Sequence, residues 1–391
     1  MENSASKQTE KLYLALVPGN NIGWGVCSTN LIKELSELYP CEVVTQDNLK
    51  QTSNYHLPGA VLHAIGDHHL KRIFPIEGTQ NFGYTFFENV LPPHCKKTAS
   101  FYDIVFAGST WCKERLEEKG VTWANTLIQG IDPSLFSPLP PKKEHKDKFI
   151  IFSGGKFEFR KGQDLVIRTF KVLQDRHKDV FLVTAWYNPW RFSMDTMALS
   201  PFITLPSVSG NWDKVMAAIL ATNGIDLNRI TILPQVSQTD LKNVYSITDL
   251  GLFPNRCEGG TNLVLMEYMA CARPVVASFN TGHKDILTEE NAILLKKMKS
   301  LVIKDSSTGE VSALWEEPDL EEIVEALEWA YQNREELNSY AAKAGKEMAK
   351  WTWKRAAKEF LGKAGLVSQR LHEVDKVFGP DLGRLSPHVS C

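Results

Sequence analysis

The stretch Asn255-Arg256-Cys257-Glu258-Gly259-Gly260-Thr261-Asn262-Leu263-Val264-Leu265-Met266-Glu267-Tyr268-Met269-Ala270-Cys271-Ala272-Arg273-Pro274-Val275-Val276-Ala277-Ser278 decides the fold. Just ahead of it, Leu250, Leu252 and Phe253 are the apolar positions of a strand predicted over 250–253. A polar loop with Glu258, Gly259 and Gly260 follows. A helix is predicted over 262–271, with Glu267 in its first turns, and Arg273-Pro274 precedes a second strand at 275–277. Strand, glycine loop, helix and strand form one parallel α/β unit. The unbonded N–H groups and the dipole at the helix start favour an anion, and glycines let the backbone approach it. The two carboxylates accept hydrogen bonds from vicinal hydroxyls. An anion linked to hydroxyl-bearing rings, as in a nucleotide sugar, is the ligand such a unit fits.

Outward from this unit the same rhythm repeats. Strands are predicted at 149–153, 180–185, 230–233 and 292–295, with helices at 163–175, 212–221, 239–247 and 320–331. An earlier set has strands at 12–17, 42–44, 60–65, 83–87, 104–107 and 126–129, with helices at 26–38 and 110–119. Between the two sets, residues 138–148 (Pro-Leu-Pro-Pro-Lys-Lys-Glu-His-Lys-Asp-Lys) are proline-rich and then charged, with nothing to bury, and read as a linker. The fold class is therefore α/β, with two doubly wound Rossmann-like domains facing across a cleft. Residues 1–142 form the first domain and 143–349 the second. Residues 350–391 hold a final helix and tail that return towards the first. Helix is also predicted over 335–362, and the tail at 368–391 is expected to be loosely held. The segment 186–211, which opens Trp-Tyr-Asn-Pro-Trp-Arg-Phe, breaks the rhythm and is too long for an ordinary connection.

With 391 residues the chain has room for two cores, and 43% hydrophobic with 23% charged residues is a soluble globular composition. A net charge of −2 argues against non-specific nucleic-acid binding, so phosphate affinity must come from local placement. Seven scattered cysteines without a Cys-x-x-Cys pair read as reduced thiols. No apolar run is long enough to span a bilayer, and the N-terminus lacks an apolar signal core. The expected location is cytoplasmic, with peripheral membrane contact left open.

A second motif completes the first. Ser153-Gly154-Gly155-Lys156-Phe157-Glu158-Phe159-Arg160-Lys161-Gly162 follows the first strand of the second domain and leads into a helix. Its three cations, Lys156, Arg160 and Lys161, suit a diphosphate. The two segments resemble the retaining nucleotide-sugar glycosyltransferases of glycosyltransferase family 4, which have the GT-B fold. That family shows Gly-Arg-x-x-x-x-Lys-Gly at the first segment, where Lys156 replaces the arginine and Lys161 matches the lysine. At the second, Glu258, Glu267, Met269, Ala270, Cys271, Pro274, Val275, Val276 and Ala277 match. The two glutamates stand nine positions apart, one more than is usual. Gln129-Gly130-Ile131-Asp132 with Phe136 and Pro138 resembles the family's domain junction. Leu233-Pro234-Gln235-Val236 with Leu241 and Tyr245 resembles its nucleobase segment, and residues 281–287 its loop after the donor helix.

The resemblance implies transfer of a hexose from a UDP-, GDP- or ADP-sugar to an acceptor hydroxyl, with retention of configuration and without a metal or other cofactor. Glu258, Lys161, Lys156 and Glu88 are then the catalytic candidates. Donor binding falls to Glu267 for the ribose, with Arg160, Gly259, Gly260, Thr261, Asn262, Leu263, Gln235 and Val236. Domain closure, with 138–148 and the final helices as hinge, excludes water. The first domain offers Gly23, Trp24, Gly25, His63, Asp67 and His68 as acceptor or cleft residues, each at the carboxyl end of a predicted strand or in the first glycine loop. Trp186, Asn188 and Trp190 are further candidates to frame a sugar. Two rival readings compete. One is an NAD-dependent oxidoreductase using the Gly23-x-Gly25 loop with Asp47, and the other is a non-catalytic nucleotide-sugar binder of the same fold.

Overall fold

Alternating apolar runs and amphipathic stretches build two parallel sheets in the computed structural model, which describes residues 11–19, 23–45 and 55–366. The first domain runs β1 (Leu12–Ala15), α1 (Gly23–Leu38), β2 (Cys41–Val43), β3 (Tyr55–His56), β4 (Ala60–Ala64), β5 (Ile76–Glu77), β6 (Gln80–Thr85), α2 (Cys95–Ala99), β7 (Ile104–Ala107), α3 (Thr110–Glu118) and β8 (Ala124–Thr126). Its main sheet has the order β2-β1-β4-β6-β7-β8, all parallel, and β3 pairs with β5 alone. Every residue of β1 and β4 is buried, as in a sheet covered on both faces.

The second domain repeats the plan with β9 (Phe149–Gly154), α4 (Gln163–Arg176), β10 (Val180–Ala185), α5 (Arg191–Met194), α6 (Trp212–Thr222), β11 (Ile230–Ile232), α7 (Gln238–Ser246), β12 (Leu250–Phe253), α8 (Leu263–Ala270), β13 (Val275–Ser278) and β14 (Ile293–Leu295). Its order is β11-β10-β9-β12-β13-β14, again parallel throughout. Strand ends differ from expectation by a few residues. For example, β6 starts at Gln80 rather than 83, and β8 ends at Thr126.

Two larger differences have physical causes. An antiparallel hairpin, β15 (Met298–Lys304) with β16 (Val311–Pro318), was not expected. Leu301 and Ile303 turn inward while Val302 and its cross-strand partner Leu314 are exposed, so apolar residues on both faces erase the period-two signal. After α9 (Leu320–Gln332), the helix predicted over 335–362 is two helices, α10 (Leu337–Met348) and α11 (Trp353–Lys363). Thr352 interrupts it by capping α11, its hydroxyl accepting from the Arg355 N–H at 3.1 Å. At the same point the Ile131 N–H donates to the Trp351 carbonyl at 2.8 Å. Helix α10 lies on α8, but α11 packs on the first domain. There the Phe360 ring meets Phe82 and Phe106 at centroid distances of 5.7 and 5.1 Å. The chain thus crosses between domains twice. The 368–391 tail and Asp47 lie outside the described residues, and no helix among the described residues is long and apolar enough to cross a membrane.

Candidate active site

In each sheet the chain moves first to one side of a central strand, β1 or β9, and then to the other. The crevice at such a switch point opens at the carboxyl ends of the strands. Loops after β1, β4 and β6 face loops after β9 and β12 across a cavity of about 470 Å³. Lys156, Arg160, Lys161, Gln235, Val236, Glu258, Gly260, Asn262 and Leu263 line it from the second domain, and Gly23, Trp24, Asp67, His68 and Glu88 from the first.

The second-domain wall is a network of paired charges. Gly162 adopts φ +72°, and a Cβ there would lie 2.2 Å from the Pro254 carbonyl oxygen, so a glycine lets the turn Phe159–Lys161 press against the loop after β12. That contact puts the Lys161 Nζ 2.6 Å from Glu258 Oε1 and Arg160 Nη1 3.1 Å from Glu258 Oε2. The Asn255 amide donates to the same carboxylate. Burial by itself pushes the Glu258 carboxyl up, but Lys161 and Arg160 outweigh it and hold the group at about 2. Arg160 also reaches Glu158 at 2.6 Å and Glu88 of the first domain at 3.2 Å. Lys156 lies 3.5 Å from Glu158 and over the Trp190 ring at 4.6 Å, and burial lowers its pKa.

Beneath this network sits a group the sequence reading passed over. Arg256 is fully buried and makes a two-pronged pair with Asp164, both contacts at 2.8 Å. It also donates to the Phe159 carbonyl at 2.6 Å and to Glu317 of β16 at 2.9 Å. It therefore anchors the turn that carries Arg160 and Lys161. A cation two residues before Glu258, right after an apolar strand, was the available signal.

Asn262, at φ +63°, caps α8, its side chain accepting from the Leu265 N–H at 3.4 Å. Its amide faces His283 Nε2 at 3.3 Å, while His283 Nδ1 lies 2.9 Å from the Ser278 carbonyl. A carbonyl only accepts, so Nδ1 carries the proton and the buried ring is neutral, in keeping with a pKa lowered by burial. Glu267 departs from expectation. It is not on the cavity wall. Its buried carboxylate accepts from the Gln238 amide at 2.6 Å, and burial raises its pKa to about 8.

Contacts between the walls account for the extra residue in the loop. A Cβ on Gly259 would stand 2.5 Å from the Phe87 carbonyl oxygen of the first domain. The Gly259 N–H donates to Glu88 Oε1 at 3.2 Å, and its carbonyl accepts from the Ser109 hydroxyl at 2.7 Å. Gly259 is thus committed to the other domain rather than to the cavity. The hairpin adds a second bridge, with the Trp315 indole N–H donating to the Glu88 carbonyl at 2.8 Å and the Val90 N–H to the Ser312 carbonyl at 2.9 Å.

Other expected residues sit elsewhere. His63 is buried in the first core, bonded to Asn81 at 3.0 Å and packed edge-on against Phe101 and Tyr102, and burial lowers its pKa to about 4. Gly25 supports the loop instead of lining the cavity, since a Cβ there would meet Gly19 backbone at 2.8 Å. The Thr261 hydroxyl turns to Met266 sulfur at 3.0 Å. Trp186 is buried on Ser153 and Phe157, whereas its neighbour Tyr187 lines the cavity. Phe86 and Asn89, unannounced by any motif, also line it, as does Gln129 from the domain-junction segment.

The sequence profile described as glycosyl transferases group 1 matches residues 138–348, more than half of the chain. The protein belongs to this family. No curated protein matches the chain by sequence. Among solved structures, this glycosyltransferase is similar to a trehalose-6-phosphate synthase, OtsA, at TM-score 0.63 and 14% identity over 92% of this chain and 100% of that one. Sucrose-phosphate synthase from Thermosynechococcus elongatus aligns at TM-score 0.61 and 12% identity over 95% of this chain and 100% of the other. Anabaena HepE, solved in complex with UDP and glucose, aligns at 0.59 and 13% over 92% and 100%. At such identities the likeness establishes the GT-B architecture, two Rossmann-like domains, which the transferase shares.

Proposed function

We propose that this glycosyltransferase moves a hexose from a nucleoside-diphosphate sugar to an acceptor hydroxyl with retention of configuration, using Lys161 and Arg160 rather than a metal ion to take up the charge of the leaving diphosphate. The observation that carries the reading is the Lys161–Glu258–Arg160 cluster facing the α8 N-terminus at the switch point of the second sheet. Cations and helix-start N–H groups placed there stabilise negative charge as it grows on the departing phosphate, without reorganisation. The complexed state of HepE supports a nucleotide-sugar donor. Retention follows from the likeness of residues 258–277 to family 4. In the reaction the bond from the anomeric carbon to the phosphate oxygen breaks, and a bond to the acceptor oxygen forms on the same face. The acceptor proton passes to the leaving phosphate. Glu258 stays ionised throughout the neutral range and orients Lys161, while Gln238 yields Glu267 to the ribose hydroxyls.

The test is release of nucleoside diphosphate from UDP-, GDP- and ADP-hexoses, with the anomeric configuration of the product read by proton NMR. Lys161→Ala is expected to lower kcat about a hundred- to a thousandfold, with an unchanged circular dichroism spectrum. The rate should persist in EDTA. Wild-type turnover in Lys161→Ala, an inverted product, or no release from any donor would each defeat the corresponding part of the reading.

A further inference from the structure

The first-domain wall carries a distinct chemical signature. Among the described residues, none of the side chains it contributes to the cavity is Lys or Arg. The wall instead presents two aromatic rings, Trp24 and Phe86, set edge to face at 4.6 Å, with the carboxylates of Asp67 and Glu88. Burial and the neighbouring His69 both lower the pKa of His68, which keeps that ring uncharged at neutral pH.

In the transferase reading Lys161 and Arg160 on the facing wall serve the donor diphosphate, and Lys156 lies against Glu158 at 3.5 Å, so no cation is left over for an acceptor anion. Asp67 is different. One of its oxygens accepts from the His69 N–H at 2.8 Å, but among the described residues the exposed carboxylate makes no ion pair. A phosphate or carboxylate on an acceptor would meet that charge with nothing to offset it. Hydroxyls would donate to it, and the apolar faces of a sugar ring would lie against the aromatic side chains.

We infer that the acceptor is an uncharged carbohydrate, held through its hydroxyls by Asp67 and through its ring by Trp24, and that anionic sugars are rejected. The inference rests on the transferase reading above. Its test needs no turnover. Saturation-transfer NMR on the full chain compares methyl glucoside, N-acetylglucosamine and cellobiose with glucose 6-phosphate and glucuronate. At least one neutral sugar should bind about tenfold more tightly than its anionic counterpart. The gap should narrow in Asp67→Asn and close or reverse in Asp67→Lys. An anionic sugar that binds as well as the neutral ones, no binding by any neutral sugar, or a gap unmoved in Asp67→Lys would overturn the inference. Nucleoside diphosphate release by the same preparation reports separately on the transferase reading, so either can fail alone.

Discussion

The two walls of the cavity are built on opposite plans. On the second domain each cation is locked to a carboxylate, and the whole array stands on a buried arginine. The first-domain wall is aromatic and polar, and its one unpaired charge, Asp67, is exposed among the described residues. A wall that must absorb charge as a bond breaks needs donors already in position and shielded from water. A wall that only orients hydroxyls needs shape and a few acceptors. Mutations should therefore act mainly through stability and rate on one side and through substrate affinity on the other.

The strongest way to break this contrast is Arg256→Ala. It strands Asp164 in the core, and loss of one partner of such a pair costs about 3–5 kcal/mol, measurable as a lowered urea midpoint. A loss below about 1 kcal/mol would mean that the paired wall does not depend on its anchor.

Glu258 and Glu267 then sharpen it through pH. Glu267 has a pKa raised from 4.5 to about 8, so the folded state holds its proton longer than the unfolded chain does. Its contribution is full below 4.5 and is lost as pH rises towards 8. Wild type should lose about 1–3 kcal/mol relative to Glu267→Gln between pH 5 and pH 7. Glu258, lowered from 4.5 to about 2, has the opposite sign and contributes stability that is full above 4.5 and disappears as pH falls towards 2. Denaturant melts of wild type and Glu267→Gln across pH distinguish the two, and parallel curves would contradict the buried carboxyl.

Trp315→Phe removes one bond between the walls, that to the Glu88 carbonyl, and should cost about 0.5–1.5 kcal/mol. Its catalytic effect should appear in kcat rather than in donor KM, because Glu88 loosens while the phosphate loop does not. An effect of similar size, but on the acceptor alone, is expected from Trp24→Ala. Acceptor KM should rise roughly two- to twelvefold, the equivalent of about 0.5–1.5 kcal/mol, with donor KM unchanged. A shift in donor KM instead would erase the division of labour.

The contrast also explains what was legible beforehand. The second domain wrote its site locally, in two glycine loops each following a strand, so Lys161, Glu258 and the α8 cap could be read from one stretch each. Both sheets followed from the alternation of strand and helix. What was not legible needed the third dimension. His63 lies near the end of β4, yet its side chain faces the core, where its Nε2 meets Asn81 at 3.0 Å and its Nδ1 finds no hydrogen-bond partner among the described residues. Glu267 matched a motif, but whether its carboxylate reaches the cavity depends on Gln238, from a different helix. Trp315 and Ser312 belong to a hairpin whose period is blurred by Val302 and Leu314. Gly259 appeared as an irregular spacing and proved to be a contact with the other domain.

The placement of α11 has a consequence for how the molecule comes into being. The first domain is discontinuous, because Phe82 and Phe106 are covered by Phe360, a residue made only after the entire second domain. On the ribosome, residues up to 136 must wait for residues 137–352 before their covering helix emerges, roughly 10–45 s at usual elongation rates. The domain translated first is the one finished last. A fragment ending near residue 137 would expose an apolar face, and a separate peptide containing Trp353–Lys363 should restore it.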